Sequence, residues 1–239
     1  MKYLDLSFPS PEENLACDEA LLDLSEQGSG GETLRFWESE KDFIVLGYSN
    51  KAGTEAHLDE CHKYGAPVFR RPSGGGTVVQ GKGCLNFSVI LRIPDSGPLT
   101  NLTGTNHFIM ERNREALAPL LTGKVEVQGT SDLTLNGLKF SGNAQRRKRH
   151  FLLFHGTFLY HFDLAKITKY LHLPSRQPDY RKSRAHENFV TNIPLTPEQI
   201  KQALKKEWKT DQHFANIPRQ IMNELIQTQY SRGEWNFKF

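Results

Sequence analysis

Arg70-Arg71-Pro72-Ser73-Gly74-Gly75-Gly76-Thr77 constrains this chain more than any other segment. Three consecutive glycines between apolar stretches are costly to order and pack no side chains. They mark a place where backbone comes close to something else. Successive backbone N–H groups there can form a nest for an anion, and the two arginines add charge, which suits a phosphate or a carboxylate. An equally ordinary reading is a flexible hairpin loop beside solvated arginines. The spacing is that of neither a P-loop nor a dinucleotide fingerprint.

Around this loop, helices and strands alternate without the regular βαβ rhythm of a doubly wound sheet, which predicts a mixed α+β fold. Ser10, Pro11 and Glu13 signal the first helix as cap, first-turn proline and capping-box partner, with Leu15, Ala16, Ala20, Leu21 and Leu22 as its buried stripe. Strands are predicted over 33–37 and 43–46, then at 67–70, 86–92, 125–128, 133–136, from Leu138 onward, and at 152–160. Further helices are predicted over 55–64, 106–121 and 163–171, after a Thr196 cap with Ile200, Ala203, Leu204 and Trp208 on one face, and near Pro218. Residues 94–105 read as a loose connection or lid. No long polar linker marks a domain boundary.

The 239 residues can bury a sizeable core, and 37% hydrophobic with 24% charged residues fits a soluble globular chain and not a disordered one. No apolar run approaches the ~18 residues that a membrane helix needs. Met1-Lys2-Tyr3-Leu4-Asp5 lacks the apolar stretch of a signal peptide, so a cytoplasmic location is expected. Cys17, Cys61 and Cys84 are too widely spaced for a disulfide framework or a close zinc-ligand pair. A net charge of +3 by itself suggests no nucleic acid.

A second informative segment runs from Asp132 to Thr157. Lys139 lies between Leu138 and Phe140, with small residues just after it. A lysine in such a setting can present one point charge to a pocket, although a lone lysine is far more often a solvated surface group. His155 sits inside an apolar strand, where a histidine is more often a satisfied core group than a catalyst. Arg146-Arg147-Lys148-Arg149-His150 is the densest basic run: commonly a solvated turn, otherwise a site for nucleotide phosphates or for docking an acidic domain. A nucleic-acid reading of it has little support.

Taken in order, these pieces resemble the lipoate–protein ligase family within the biotin/lipoate ligase superfamily. The resemblance rests on Asn14-Leu15-Ala16-Cys17-Asp18-Glu19, Arg35-Phe36-Trp37, Val45-Leu46-Gly47, the arginine–serine–triple-glycine loop with Val78, and Asn86-Phe87. It continues through Ser131-Asp132-Leu133, Lys139-Phe140-Ser141-Gly142-Asn143-Ala144, His155-Gly156-Thr157, Thr191-Asn192 and Glu234-Trp235-Asn236. It implies a central mixed sheet flanked by helices, with an acyl tunnel across it. It also implies that Lys139 contacts the acyl carbonyl and the adenylate phosphate, while Ser73, Gly74, Gly75, Gly76 and Thr77 wrap the acyl–phosphate junction. Arg70 would take the phosphate side, and Trp37 and Val78 would line the tunnel. Asn86, Asp132, Gly142, Ala144, His155 and Thr157 are the remaining implied substrate-binding positions. The implied substrates are lipoate or octanoate and ATP with Mg²⁺. The implied acceptors are lipoyl domains of the 2-oxoacid dehydrogenase E2 or glycine cleavage H protein type, with no nucleic acid or membrane partner.

Two departures shape the expectation. Larger ligases of the family carry a small C-terminal domain, and this sequence stops shortly after Glu234-Trp235-Asn236. A single catalytic domain over 1–239, with an accessory subunit as a possible partner, is therefore expected. Related octanoyltransferases pass the acyl group through a cysteine thioester without ATP. Cys84 would serve only if exposed and acidified, and Gly129-Thr130-Ser131, where some transferases place their cysteine, has no thiol. The sequence therefore favours the acyl-adenylate ligase, with the thioester transferase second. A non-catalytic acyl- or lipoyl-domain-binding protein is the reading of another class.

Overall fold

Strand after strand in the second third of the chain alternates apolar and polar side chains, which commits each to two different faces. The computed structural model describes residues 1–239. In chain order the elements begin with β1 (Lys2–Asp5), α1 (Pro11–Glu26), β2 (Thr33–Trp37), β3 (Phe43–Leu46), α2 (Ala52–Glu55) and α3 (Leu58–Lys63). Next are β4 (Val68–Arg70), β5 (Val78–Gln80), β6 (Cys84–Arg92), α4 (Leu102–Leu117), β7 (Val125–Gln128), β8 (Asp132–Leu135), β9 (Leu138–Arg147) and β10 (Phe151–Leu159). Last are α5 (Ala165–Tyr170), α6 (Pro197–Glu207), β11 (Gln212–His213), α7 (Arg219–Leu225) and α8 (Gly233–Asn236).

The strands form an eight-stranded sheet ordered β11-β1-β2-β6-β10-β9-β8-β7 and a three-stranded sheet ordered β4-β3-β5. β1 pairs parallel with β2 and β11, whereas the β2–β6–β10–β9–β8–β7 succession is antiparallel. The fold is thus the expected mixed α+β sheet with flanking helices. No helix is long and apolar enough to cross a membrane.

The two faces of the large sheet have different fates. Leu34 and Phe36 of β2, Leu85, Phe87, Val89 and Leu91 of β6, and Leu152, Phe154 and Phe158 of β10 point one way, into a core covered by Ile109 and Met110 of α4 and Ile200 and Leu204 of α6. Their neighbours, Arg35, Trp37, Asn86, Ser88, His155 and Thr157, point the other way, beneath α1 and the small sheet. The polar half of the alternation does not meet solvent but is enclosed.

α1 begins as expected: the Ser10 hydroxyl accepts from Glu13 N at 3.2 Å and Ser10 N donates to the Glu13 carboxylate at 3.3 Å. Its buried side also carries Asn14 and Asp18, so the stripe is not wholly apolar. Elsewhere the boundaries differ from expectation for local reasons. The predicted helix over 55–64 is split into α2 and α3, because Ala56 is extended and bridges Leu171. α4 starts earlier than predicted, because the Asn101 side chain accepts from Gly104 N and turns the end of the presumed loose segment, from Leu102 on, into helix. β1 and β5 were not expected at all. They are only 4 and 3 residues long, too short for periodicity to register.

Candidate active site

The enclosed polar face of the large sheet and the loop joining β4 to β5 bound a cavity of about 470 Å³. Of the residues singled out from the sequence, Trp37, Gly75, Gly76, Thr77, Val78, Asn86, Asp132, Lys139, Gly142, Ala144, His155 and Thr157 line it. Their assembly follows from register. Gly142 and Ala144 of β9 lie opposite Thr157 and His155 of β10, and Asn86 of β6 lies opposite Thr157.

Lys139 reaches this face because of an irregularity. β8 pairs Asp132 with Gly142 and Leu133 with Ser141, but then Thr134 with Lys139, leaving Phe140 as an extra residue. In a regular strand Lys139 and Gly142, three positions apart, would face opposite sides. The bulge restores the same side and aims the lysine into the cavity. The side chain then passes over Gly142, where a Cβ would stand 2.7 Å from its Nζ. Lys139 Nζ pairs with Asp132 Oδ1 at 2.8 Å, and the Tyr180 hydroxyl donates to Asp132 Oδ2 at 2.7 Å. Burial, then the Asp132 carboxylate, push the Tyr180 phenol well above its ordinary range, so it remains a donor. The backbone of Lys139 is itself clamped: its N–H donates to Phe189 O at 2.8 Å and its carbonyl accepts from Thr191 N at 2.9 Å.

The glycine loop is wrapped around Arg71. Arg71 Nη2 donates to the carbonyls of Gly74 and Gly76, each at 2.7 Å, and Nη1 donates to Val45 O at 3.2 Å. Turning those carbonyls inward leaves the N–H groups of Gly74, Gly75 and Gly76 without a protein acceptor. Full burial pushes the Arg71 guanidinium down to about 10, which still leaves it charged at neutral pH. Gly75 has φ +87°, and a Cβ on it would come within 3.0 Å of Arg71 Nη2 and 3.5 Å of Ala144 Cβ. Valine there meets both a left-handed backbone and a filled space. Gly75→Val is expected to weaken binding of a nonhydrolysable lipoyl-adenylate analogue at least ~10-fold, since ~1–2 kcal/mol of backbone strain falls on the loop. Calorimetric titration that finds wild-type affinity would show that the loop does not cradle this ligand.

Behind the loop lies a buried polar chain. Ser73 Oγ is 2.6 Å from His155 Nε2, and His155 Nδ1 is 3.9 Å from Asp18 Oδ2. Asp18 accepts from Arg35 Nη1 at 2.5 Å, from Ser88 Oγ at 2.9 Å and from Trp37 Nε1 at 3.2 Å. Burial alone would raise the Asp18 pKa, but Arg35 above all, with His155, more than offsets it and holds the carboxyl below its ordinary value. His155 is therefore neither a wholly satisfied core group nor a free one: one nitrogen anchors the loop while the ring faces the cavity.

Three expectations need correction. Arg70 does not face the cavity. Its buried guanidinium donates only to main-chain carbonyls, those of Gly47, Tyr48, Asn50, Trp235 and Asn236, so it is a structural clamp and not a phosphate ligand. Arg71, and not Arg70, lines the cavity. Ser73 and Gly74 are not on the cavity wall: Ser73 is 1% exposed behind it, and Gly74 is on the outer surface of the loop. Asp18 and Tyr180 are not among the residues singled out above, and Arg71 enters there only as one of two arginines charging the loop. Asp18 and Arg71 stood in quoted motifs but carried no spacing signal of their own, and Tyr180 belongs to a segment without periodicity.

The cysteines are all buried, at 0%, 2% and 1% exposure for Cys17, Cys61 and Cys84. Burial raises all three thiols, Cys17 to about 11. The basic run falls at the β9–β10 hairpin, at the opposite end of β9 from Lys139. There Lys148 pairs with Asp23, Arg147 donates to Leu99 O and Thr105 Oγ1, and the N–H groups of Arg149 and His150 donate to Glu26. It braces α1 and α4 and does not reach the cavity.

Comparison with known proteins agrees with this geometry. A family model described as lipoyl protein ligase A/B catalytic domain matches residues 10–209. The octanoyltransferase LipM of Geobacillus kaustophilus is 27% identical, over 99% of this chain and 98% of that protein. A bi-partite lipoate protein ligase from Thermoplasma acidophilum, described with its E2 lipoyl domain, has a similar fold. Its TM-score is 0.82 at 24% identity, over 99% of this chain and 95% of that one. A lipoate-protein ligase A bound with ATP gives a TM-score of 0.81 at 25% identity, over 99% and 98% of the two chains.

Proposed function

Because the chain belongs to the lipoyl protein ligase A/B catalytic domain family, we propose that it activates lipoate or octanoate with ATP as an acyl-adenylate and transfers the acyl group to a lysine of a lipoyl acceptor domain. One observation carries this reading. The Lys139 ammonium and the unspent N–H groups of Gly75 and Gly76 border one cavity, and the one thiol on its wall, Cys84, is 1% exposed and pushed up by burial.

The chemistry asks for such an arrangement. A carboxylate becomes an acyl donor only when one oxygen joins a good leaving group. In the first step a carboxylate oxygen bonds to the α-phosphorus and pyrophosphate leaves. In the second, the acceptor's neutral amine bonds to the acyl carbon, the carbon–oxygen bond to AMP breaks, and the nitrogen releases a proton. The first step moves the carboxylate's charge onto the α-phosphate oxygens and the leaving pyrophosphate, and the second builds negative charge on the acyl carbonyl oxygen. Lys139 supplies a compact positive charge there and the loop supplies backbone donors, in a pocket already folded to that shape. Trp37 and Val78 offer apolar walls to the medium-length chain and exclude water that would hydrolyse the anhydride. No cluster of three metal-ligating side chains is present. Mg²⁺ would arrive with the triphosphate and shield its charge, since it prefers phosphate oxygens and water.

The relative named octanoyltransferase supports a second reading, in which the donor is an octanoyl thioester. With its thiols buried, this chain would pass the acyl group directly from donor to acceptor lysine. Both readings are separated by one experiment. The purified chain is incubated with an apo lipoyl domain and either octanoate plus ATP and Mg²⁺, or octanoyl carrier protein, and the acceptor mass is followed. The ligase reading expects acylation only with ATP, together with carboxylate-dependent pyrophosphate exchange. Prior treatment with iodoacetamide, and Cys84→Ser, are each expected to leave most activity. ATP-independent transfer from octanoyl carrier protein would overturn it, and a hydroxylamine-labile adduct on a cysteine would add that the acyl group passes through a thiol. Silence with both donors would favour a non-catalytic binding protein.

A further inference from the structure

The glycine loop has no helix or strand of its own, so something beneath it must set its shape. The turn after β3 does so directly. Tyr48 N donates to Ser73 O at 2.9 Å, and Asn50 Oδ1 accepts from Gly47 N at 2.7 Å and Thr77 Oγ1 at 3.4 Å. Gly47 lies flat under Gly75, whose carbonyl oxygen would be 2.1 Å from a Cβ on Gly47. This turn is in turn gathered by Arg70 Nη1, which donates to Gly47 O and Tyr48 O at 2.9 Å and to Asn50 O at 2.7 Å.

The other side of Arg70 is held by α8. Its Nε donates to Trp235 O at 3.1 Å and its Nη2 to Asn236 O at 3.0 Å. β4 is an edge strand, and the main chain of Arg70 would lack a neighbour. Two side chains of α8 fill that role: Asn236 Oδ1 accepts from Arg70 N at 3.0 Å, and Trp235 Nε1 donates to Arg70 O at 2.8 Å. α8 is itself tied down, as Asn236 Nδ2 donates to Tyr230 O at 2.9 Å and the Tyr230 hydroxyl donates to Glu19 of α1 at 2.8 Å.

We propose that Trp235 and Asn236 are positioning residues of the active site, acting through Arg70 on the turn that shapes the glycine loop. Only a planar fork can serve two segments at once, so Arg70 is the coupling piece, and a lysine there would release one of them. The kinetic consequence rests on the acyl-transfer reading above; the structural coupling does not.

Two variants test it. Asn236→Ala removes the acceptor for Arg70 N, and Trp235→Phe keeps an aromatic ring while deleting only the indole donor. Hydrogen exchange is read at Tyr48, whose N–H reports the bond to Ser73, and along β6 and β10 as a reference. The expected result is faster exchange at Tyr48 with β6 and β10 unchanged, and a kcat/KM for acyl transfer lowered about 10–100-fold, as loss of loop geometry implies. The loss should fall mainly on kcat, because ground-state binding in the tunnel is untouched. Exchange that accelerates uniformly, with activity falling only as the folded fraction falls, would make the segment merely structural and overturn the proposal. So would unchanged exchange at Tyr48 with wild-type kcat/KM. If the wild type shows no transfer with any donor, the functional reading fails, while the exchange comparison still decides the coupling.

Discussion

Lys139→Ala is expected to lower kcat/KM for acyl transfer by roughly 10²–10³-fold, the usual cost of deleting one preorganised group that meets developing charge. The fold should survive. Lys139 is partly exposed on its side chain, its backbone bonds to Phe189 and Thr191 do not depend on the ammonium, and Asp132 keeps the Tyr180 hydroxyl as a donor. The melting temperature should therefore stay near that of the wild type. Lys139→Arg should fail almost as badly. The lysine arm lies close over Gly142, with no room there for a Cβ, and a planar guanidinium cannot place a single point charge where the compact ammonium sits. Steady-state kinetics on both variants, with circular dichroism as the folding control, check this. A folded alanine variant that turns over within a few-fold of the wild type would remove Lys139 from the mechanism.

Asp18→Asn is expected to destabilise the chain by about 3–5 kcal/mol, because breaking a buried ion pair strands the remaining charge. Asp18 and Arg35 are 3% and 0% exposed, so solvent screening does little to soften the loss. Trp37 Nε1 donates to Oδ2 and Ser88 Oγ to Oδ1, so the single oxygen of the amide keeps one of these acceptor positions and turns its NH2 to the other, adding to the loss at Arg35. The pH dependence has a definite sign. The folded pKa of Asp18 is held below its unfolded value, so its contribution is fully present above the ordinary carboxylate range near ~4. It is lost as pH falls through the depressed folded value. Urea denaturation at neutral pH should therefore show the full difference between wild type and variant, and the difference should shrink in strong acid. A neutral-pH difference under ~1 kcal/mol would mean that Arg35 finds another partner.

The same residue shows where sequence reading reached and where it stopped. Ser10, Pro11 and Glu13 announce α1 because capping is local chemistry, settled within four residues. Alternation along β6 and β10 announces two-faced strands for the same reason, and Gly74-Gly75-Gly76 announces a close approach of backbone. That Asp18 would sit at the centre of a buried ionic knot was not legible. Its partners Arg35, Trp37, Ser88 and His155 come from three separate strands, and only the stacking of α1 on the sheet brings them together.

The sequence by itself determined the mixed α+β class, the helix starts that depend on caps, and the pairing of a glycine loop with Lys139 that carries the family resemblance. These are properties of neighbouring residues, or of motifs in order along the chain. Tertiary structure decided which arginine points where. Arg70 and Arg71 are adjacent in the chain, and strand alternation sends one toward α8 and the other under the loop, so identical side chains become a structural clamp and a loop organiser. It also decided that Lys139 faces the cavity. A single extra residue in the β8–β9 pairing reverses the side on which Lys139 emerges, and register between strands is fixed by packing across the sheet, which no local pattern records.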